Sequence, residues 1–244
     1  MEERKTIYLC LAHMSETGEE QKYVKEAFDT NWVVPLGPNV NGFEDDLKAF
    51  VSKNSDGSEL SREVVALSAG TAAVHLGLLA SGVGPGDEVC VQSFTFCASS
   101  HPITYLGATP VFIDSEPDSW NMDPELLEKA IIDRKEKTGK YPKAIVPVAL
   151  YGMPYDCDKI MAISEKYGIP VVEDAAEGCG SRWKGQVLGT FGKFGVLSFN
   201  GNKMITTSGG GALICQDAES KNNVMWYATQ ARDAYPYYQH TAIG

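Results

Sequence analysis

Short apolar runs recur along the chain from about residue 64, each long enough for one buried strand. They cover residues 64–67, 88–92, 110–113, 144–148 and 169–172, and they are rich in valine and isoleucine. Continuous apolar runs of this length are typical of strands that are buried on both faces, as in parallel sheets.

Helix-like segments separate these runs. Residues 71–79 place Leu76 and Leu79 on one helical face, and Asp123 is a capping residue followed by proline in a first turn. Residues 156–167 are also helical in pattern. Strands that alternate with helices predict an α/β fold, with a mostly parallel sheet flanked by helices.

The first 60 residues have a different character. Residues 17–20 have capping-box spacing and predict the start of a helix with Thr17 as its cap. Residues 32–38 form an apolar loop with two prolines, which either packs between helices or faces a ligand or partner. We therefore expect residues 1–60 to supply helices and a loop that pack on a main domain of residues 61–244.

The net charge of the chain is −11, which disfavours nucleic acid as a partner because such a surface repels phosphate backbones. A buried site can still bind a phosphorylated ligand through backbone N–H groups. Six scattered cysteines without a Cys-x-x-Cys pair are typical of free thiols in a reducing cytosol. No apolar run approaches the ~20 residues that cross a bilayer, and residues 7–12 are too short for a signal sequence. A cytoplasmic protein without membrane contact is expected.

Candidate ligand-binding residues follow the predicted strands at the carboxyl edge, where open α/β sheets bind ligands. Residues 68–72 join a strand to a helix through small side chains, which suits either a phosphate site or a plain tight turn. Glu173, Asp174 and Glu177 follow another strand. Carboxylates there either cap a helix or pair with a protonated heterocyclic nitrogen.

Lys203 lies between a predicted strand and the glycine run at residues 209–211. A lysine is usually a solvated surface charge, but one held between a buried strand and glycines is a candidate nucleophile. Phe94 and Phe96 follow a further strand, where they either stack on a planar ring or fill the core.

Competing motifs do not fit. Residues 82–86 lack the glycine spacing of a dinucleotide-binding turn, and residues 189–193 lack the spacing of a P-loop. The four histidines are isolated along the chain, so no metal site is expected.

Taken together, these residues resemble the DegT/DnrJ/EryC1/StrS family of sugar aminotransferases over nearly the whole chain, most specifically in Ser198 to Gly211. The resemblance implies the large domain of the type I PLP-dependent aminotransferase fold, with pyridoxal 5'-phosphate (PLP) as cofactor. It also implies a homodimer with shared active sites. The implied reaction moves an amino group from glutamate to a nucleotide-linked 4-keto-6-deoxy sugar, for synthesis of a cell-surface polysaccharide or glycan.

The same resemblance implies roles for single residues. Lys203 is the lysine that forms a Schiff base with the cofactor, and Asp174 pairs with the pyridinium nitrogen. Phe96 stacks on the ring, and Glu177 stands where many relatives have Gln or His beside the ring hydroxyl. The residues implied to bind the phosphate are Thr71, Ala72 and Ser198.

Two departures from the family pattern bear on activity. Ala69 replaces a serine that is common in the phosphate turn. The chain ends at Gly244, where relatives continue into a small C-terminal domain, so that domain is expected to be absent and the chain as given to be a poor enzyme. The alternatives are a non-catalytic PLP-binding remnant, a regulatory relative and a sugar dehydratase. Dehydratase relatives have His where Lys203 stands, which disfavours the last.

Overall fold

The computed structural model describes residues 13–244, and its central feature is a sheet with a four-stranded and a three-stranded part. The strands in chain order are β1 (Glu63–Leu67), β2 (Glu88–Gln92), β3 (Thr109–Ile113), β4 (Ala144–Val146), β5 (Val172–Asp174), β6 (Arg182–Trp183), β7 (Gln186–Val187), β8 (Phe194–Ser198) and β9 (Gly211–Cys215). Bridges from Ile145 to Val171 and from Val148 to Asp174 join the two parts. The sheet order is therefore β1-β9-β8-β5-β4-β2-β3, and β6 and β7 form a separate hairpin.

Helices accompany the strands, and the four that the sequence predicts near residues 19, 71, 124 and 157 are present. The helices are α1 (Glu19–Asp29), α2 (Pro38–Ser52), α3 (Gly70–Ala80), α4 (His101–Tyr105), α5 (Pro124–Thr138), α6 (Cys157–Tyr167) and α7 (Ala218–Ala228). The side chain of Asp123 accepts hydrogen bonds from two N–H groups in the first turn of α5, and that of Asp156 caps α6 in the same way through one. The predicted α/β fold is confirmed.

Strand β9 is the antiparallel member of the sheet. It runs antiparallel to both β1 and β8. The pairs β2–β3, β2–β4 and β5–β8 are parallel, as are the bridges between β4 and β5. The mostly parallel sheet predicted from the apolar runs is confirmed. The exception arises because residues 199–210 return directly from β8 to β9, without the helical crossover that a parallel pair needs.

Two hydrophobic layers cover the two faces of the sheet. Strand side chains alternate between the faces, so Val64 belongs to one buried cluster and its neighbour Val65 to the other. On the first face they pack with Leu127 of α5 and Ile160 of α6. On the second face they pack with residues of α3 and α7, such as Leu78. Helices therefore cover the sheet on both of its faces.

Two strand boundaries differ from prediction, and a proline lies at each. The apolar run 169–172 predicts a strand there, but β5 begins at Val172 and continues to Asp174. The run 144–148 predicts a strand that includes Pro147, but β4 ends at Val146. Proline has no N–H to donate to a ladder, so regular pairing starts after Pro170 and stops before Pro147. Asp174 is therefore the last residue of β5 rather than a residue that follows the strand.

The predicted capping box before α1 is wrong in its residues. Gly18 is the N-cap, in the left-handed region with φ of 72°, and no side chain caps the helix. This turn leaves the hydroxyl of Thr17 bonded to Ser15 Oγ instead of to the helix. The carboxylate of Glu20 accepts hydrogen bonds from the backbone N–H and the hydroxyl of Ser15, at 2.8 and 2.6 Å.

The N-terminal helices differ in how they contact the sheet. α2 packs on β1 and buries Val51, whereas α1 buries no residue. The apolar loop after α1 is exposed, with Trp32 46% and Leu36 62% accessible, and the Trp32 ring lies over Gly37. The division of the chain at residue 60 stays a prediction.

The cysteines that the structure describes form no disulfides. Cys90, Cys97, Cys157, Cys179 and Cys215 are free thiols, while Cys10 and the apolar residues 7–12 lie outside the described residues. In residues 13–244 no helix has the length and hydropathy to cross a membrane.

Candidate active site

A cavity of about 520 Å³ opens at the carboxyl edge of the sheet. It is lined by the segments that follow β1, β2, β4, β5 and β8, so five separate parts of the sequence meet there. Its lining includes Gly70, Thr71, Phe94, Thr95, Phe96, Tyr151, Asp174, Glu177, Ser198, Asn200, Asn202 and Lys203. Of the residues that the resemblance implies to bind the cofactor, Ala72 alone does not line the cavity; its backbone belongs to the first turn of α3.

The first turn of α3 forms one end of the cavity. Ala69 is the N-cap with extended backbone, no side chain caps the helix, and the first helical hydrogen bond runs from Ala73 N to Ala69 O at 3.1 Å. The N–H groups of Gly70, Thr71 and Ala72 therefore have no partner within the helix. A helix start of this kind favours an anion, through both its N–H groups and the helix dipole.

Two glycines allow this turn to lie directly against β8 and β9. A Cβ on Gly70 would come within 2.9 Å of Ser198 Cβ, and one on Gly211 would come within 2.3 Å of the Ala69 carbonyl carbon. Neither space admits a side chain. The close approach brings Ser198 Oγ beside the start of α3, where the hydroxyl and the helix N–H groups can act on one ligand.

Asp174 is the buried carboxylate of the cavity. It is 6% exposed and accepts hydrogen bonds from Ser99 Oγ at 2.6 Å and from Ala176 N at 3.1 Å. Burial raises the pKa of Asp174, while these two hydrogen bonds and the positive charge of Lys203 act in the opposite direction. Within residues 13–244 no cation forms an ion pair with it. A buried carboxylate at a cavity wall without a cationic partner suits a protonated nitrogen of a ligand.

Glu173 points away from the cavity. The interpretation of these carboxylates as helix caps is wrong, because no helix begins in residues 175–193, between β5 and β8. Its side chain is fully buried and accepts hydrogen bonds from the N–H groups of Gly189, Phe191 and Gly192. Burial raises the pKa of Glu173, against the effect of these bonds. Because successive strand residues face opposite sides, Glu173 holds a structural loop while Asp174 faces the cavity.

Lys203 enters the cavity from the loop between β8 and β9. Its side chain is 14% exposed, and its Nζ lies 3.2 Å from Glu177 Oε1. The other carboxylate oxygen of Glu177 accepts a hydrogen bond from the backbone N–H of Tyr151 at 2.6 Å. Lys203 is therefore a half-buried amine that contacts the cavity, as its position between a strand and a glycine run predicts.

Aromatic side chains surround the mouth of the cavity. Phe94, Phe96 and Tyr151 are 44%, 70% and 70% exposed. The alternative that both phenylalanines fill the core is therefore wrong. Tyr151 also has a left-handed backbone, with φ of 52°. Aromatic rings with this exposure at a cavity can stack on a planar ligand.

Reasoning from the sequence missed Ser99 and Tyr151. Ser99 lies in a short turn seven residues after β2, and Tyr151 lies in a turn after β4. Ser99 offered no signal, because its contact with Asp174 joins residues 75 apart. Tyr151 was detectable as an aromatic residue that follows a predicted strand, the same feature that pointed to Phe96.

The donor set fits a phosphorylated heterocyclic aldehyde such as PLP. The uncapped start of α3 and Ser198 offer donors for a phosphate, Asp174 offers a buried carboxylate for a ring nitrogen, and Lys203 offers an amine. In the described part of the chain no cluster of three or more His, Cys, Asp or Glu could hold a metal ion.

Comparison with known proteins also indicates an aminotransferase. The model of the DegT/DnrJ/EryC1/StrS aminotransferase family matches residues 14–244. EpsN of Bacillus subtilis (strain 168), named as a candidate pyridoxal phosphate-dependent aminotransferase, is 49% identical over 98% of this chain and 59% of its own length. GDP-perosamine synthase of Escherichia coli O157:H7 is 36% identical over 97% of this chain and 61% of its own.

A solved structure extends the comparison to the fold. A DegT DnrJ EryC1 StrS aminotransferase from Brucella abortus superposes with a TM-score of 0.80 at 32% identity, over 95% of this chain and 62% of that chain. The fold is thus that of an aminotransferase. The chain belongs to the DegT/DnrJ/EryC1/StrS aminotransferase family, and it spans about 60% of the length of these relatives.

Proposed function

We propose that this protein is a PLP-dependent aminotransferase that acts on a sugar. The observation that supports this most directly is the meeting of Lys203, Asp174 and the uncapped start of α3 in one cavity, although they come from three distant parts of the sequence. When bound, PLP supplies an aldehyde that reacts with amines and a ring that withdraws electrons. The remaining work falls to residues of this chain.

The binding roles follow from the chemistry of each group. The N–H groups of Thr71 and Ala72, together with Ser198 Oγ, would hold the phosphate at the start of α3. Asp174 would keep a ring nitrogen protonated through its negative charge, and its burial makes that interaction strong. Phe96 would stack on one face of the ring.

Lys203 would hold the cofactor and move a proton. Its amine would form the covalent link to the cofactor, and in this half-buried site the same amine could act as a general base when it is not so linked. Glu177 Oε1 lies 3.2 Å from that amine and can orient it while the amine is not bound to the cofactor. The same carboxylate would lie beside the ring hydroxyl, where many relatives have Gln or His.

The substrates are proposed from the relatives. The name of GDP-perosamine synthase supports a nucleotide-linked sugar as acceptor, and we infer the 4-keto-6-deoxy type, with glutamate as donor, for a cell-surface polysaccharide or glycan. We place the reaction in the cytoplasm. A homodimer with shared sites is supported by the exposed apolar residues of α1 and the following loop, including Phe28, Trp32 and Val33.

Transfer of labelled nitrogen tests this function. A version of the protein that spans the full length of its relatives, loaded with PLP, would be incubated with ¹⁵N-glutamate and a panel of nucleotide-linked keto sugars, and the products analysed by mass spectrometry. We expect ¹⁵N in an amino sugar for a 4-keto-6-deoxy substrate. If glutamate leaves the absorbance of bound PLP unchanged and no sugar gains nitrogen, the protein is a non-catalytic binding module and the proposal is wrong.

A further inference from the structure

Two buried amide side chains lie behind the cavity rather than in it. Gln92 is the last residue of β2, and Asn121 lies in the loop between β3 and α5. Both side chains are 0% exposed, and Gln92 Nε2 donates to Asn121 Oδ1 at 3.2 Å. Neither residue lines the cavity, and the proposed chemistry uses neither.

Gln92 joins the ends of three segments. Its Nε2 also donates to Phe94 O at 2.9 Å, which fixes the segment that follows β2. Its Oε1 accepts from Met122 N at 2.8 Å and from Val148 N at 3.3 Å. One side chain therefore links the β2, β3 and β4 exits at the carboxyl edge of the sheet.

Asn121 holds the turn after β4 on both sides of Tyr151. Its Oδ1 accepts from Leu150 N at 3.2 Å, and its Nδ2 donates to Met153 O at 2.9 Å. The turn between these contacts places Tyr151 in the left-handed region, a conformation that an ordinary side chain keeps only when its surroundings fix it. A third contact, from Tyr151 N to Glu177, completes the restraint.

We propose that Gln92 and Asn121 are positioning residues that set the spacing of the two aromatic side chains at the cavity mouth, Phe94 and Tyr151. Each member of the pair holds one of them, and the bond between the two amides couples the two loops. Buried amides with their donors and acceptors satisfied make a stiff connection, because an unpaired group there costs ~1–3 kcal/mol. The consequence for substrate affinity rests on the proposed function.

Hydrogen exchange of the ligand-free protein tests the positioning without any activity. In Gln92→Met and Asn121→Leu we expect amide exchange in residues 93–96 and 148–153 to become about tenfold faster or more, with the outer strands unchanged. Asn121→Asp keeps the acceptor for Gln92 and Leu150 but sets a carboxylate oxygen against Met153 O, so the increase in exchange should be largest at residues 150–153. Urea unfolding shows which of the three variants fold, and exchange in those variants decides the proposal.

Gln186→Met is the matched control. Gln186 is a half-buried glutamine that donates two hydrogen bonds to Thr190 and does not line the cavity. Its loss should speed exchange near residue 190 and leave both aromatic segments unchanged. Unchanged exchange at Phe94 and Tyr151 in all three network variants, or an equal increase throughout the sheet, would overturn the proposal.

Steady-state kinetics then test the link to substrate. In Gln92→Met and Asn121→Asp the KM for the nucleotide-linked sugar should rise about tenfold, while kcat and the reaction with glutamate alone stay within a few-fold of wild type. Faster amide exchange in the two loops together with an unchanged KM for the sugar would refute the role in substrate binding. A wild-type protein that converts no sugar would instead refute the proposed function, and the exchange result would still decide the positioning.

Discussion

The hydroxyl of Ser99 donates a hydrogen bond to the buried carboxylate of Asp174, with 2.6 Å between Oγ and Oδ2. Thr95 Oγ1 lies 2.8 Å from Ser99 Oγ, so a short chain of hydroxyls leads from the cavity surface to the carboxylate. Of the two hydrogen bonds to Asp174, the one from Ser99 does more to counter the rise in the pKa of Asp174 that burial causes. Ser99 is thus positioned to keep Asp174 ionised.

Ser99→Ala should move the acid limb of the pH profile to higher pH. Removing the hydroxyl removes an interaction that lowers the pKa of Asp174, so the carboxylate becomes ionised only at higher pH. At neutral pH we expect kcat/KM for the glutamate half-reaction to fall about ten- to a hundredfold, since a hydrogen bond to a charged group is worth ~1.5–3 kcal/mol. The measurement is kcat/KM against pH.

Ser100→Ala is the neighbouring control, because the Ser100 hydroxyl donates to the carbonyl of Cys97 on the surface. Its profile should coincide with that of wild type. A Ser99→Ala profile that falls in height without moving along the pH axis would mean that Ser99 acts by packing rather than through the ionisation of Asp174.

Asp174→Asn should stabilise the cofactor-free protein at neutral pH. The pKa of Asp174 is raised in the folded state, so folding favours its protonated form, and wild type loses that contribution as pH rises from the unfolded pKa through the folded one. The neutral amide has no such dependence. The Tm difference between variant and wild type should be small near pH 4 and grow toward neutrality, with ~2–4 °C for each 1 kcal/mol. A difference that shrinks as pH rises would contradict the assignment.

The same substitution should greatly reduce amino transfer. Asparagine keeps the shape of Asp174 but not the charge that would hold a proton on the ring nitrogen, so turnover should fall by ~10²–10⁴. Cofactor affinity should change much less, because the phosphate-binding turn at α3 is untouched. Single-turnover rates at saturating PLP separate the two effects, and near-normal turnover would remove Asp174 from the mechanism.

Local patterns were enough to predict the sheet and the position of its functional edge. Buried parallel strands are continuous apolar runs, and their carboxyl ends meet at one edge, so Lys203, Asp174 and Phe96 could be expected to lie close together before their contacts were known. The prolines at 147 and 170 were equally visible in the sequence. Their effect on the strand ends was missed because proline is apolar and continues the apolar run, although it has no N–H to donate to a neighbouring strand.

The contacts between distant segments could not be predicted in the same way. The bond from Ser99 to Asp174 and the pair formed by Gln92 and Asn121 depend on register across the sheet, which a single sequence does not reveal. Thr17 failed as a cap for a different reason, since the left-handed Gly18 redirects the chain just before α1. Spacing alone identifies a capping box only when the backbone between its members is helical.

Lys203→Ala should abolish covalent attachment of PLP to the protein. Reduction with borohydride followed by peptide mass spectrometry should find the cofactor on Lys203 in wild type and nowhere in the variant. Lys193→Ala is the control, because Lys193 directly precedes β8 whereas Lys203 follows the other end of that strand. The Nζ of Lys193 lies over the ring of Phe194. Cofactor that attaches to Lys193 or another lysine in wild type would show that the site is assigned wrongly.

Gly70→Ala should weaken cofactor binding through its phosphate. The added Cβ would meet Ser198 Cβ at 2.9 Å and Oγ at 3.1 Å, and Ser198 belongs to the fully buried strand β8, so the start of α3 must move instead. Because the helix N–H groups would then miss the phosphate, we expect the Kd for PLP to rise about tenfold or more. Pyridoxal, which lacks the phosphate, should bind wild type and variant with similar affinity. Gly84→Ala is the control, since its Cβ would meet nothing within 4 Å. Titration by absorbance measures the affinity of each protein for both ligands, and an equal loss for pyridoxal and PLP in Gly70→Ala would mean that the clash deforms the whole cavity rather than the phosphate site.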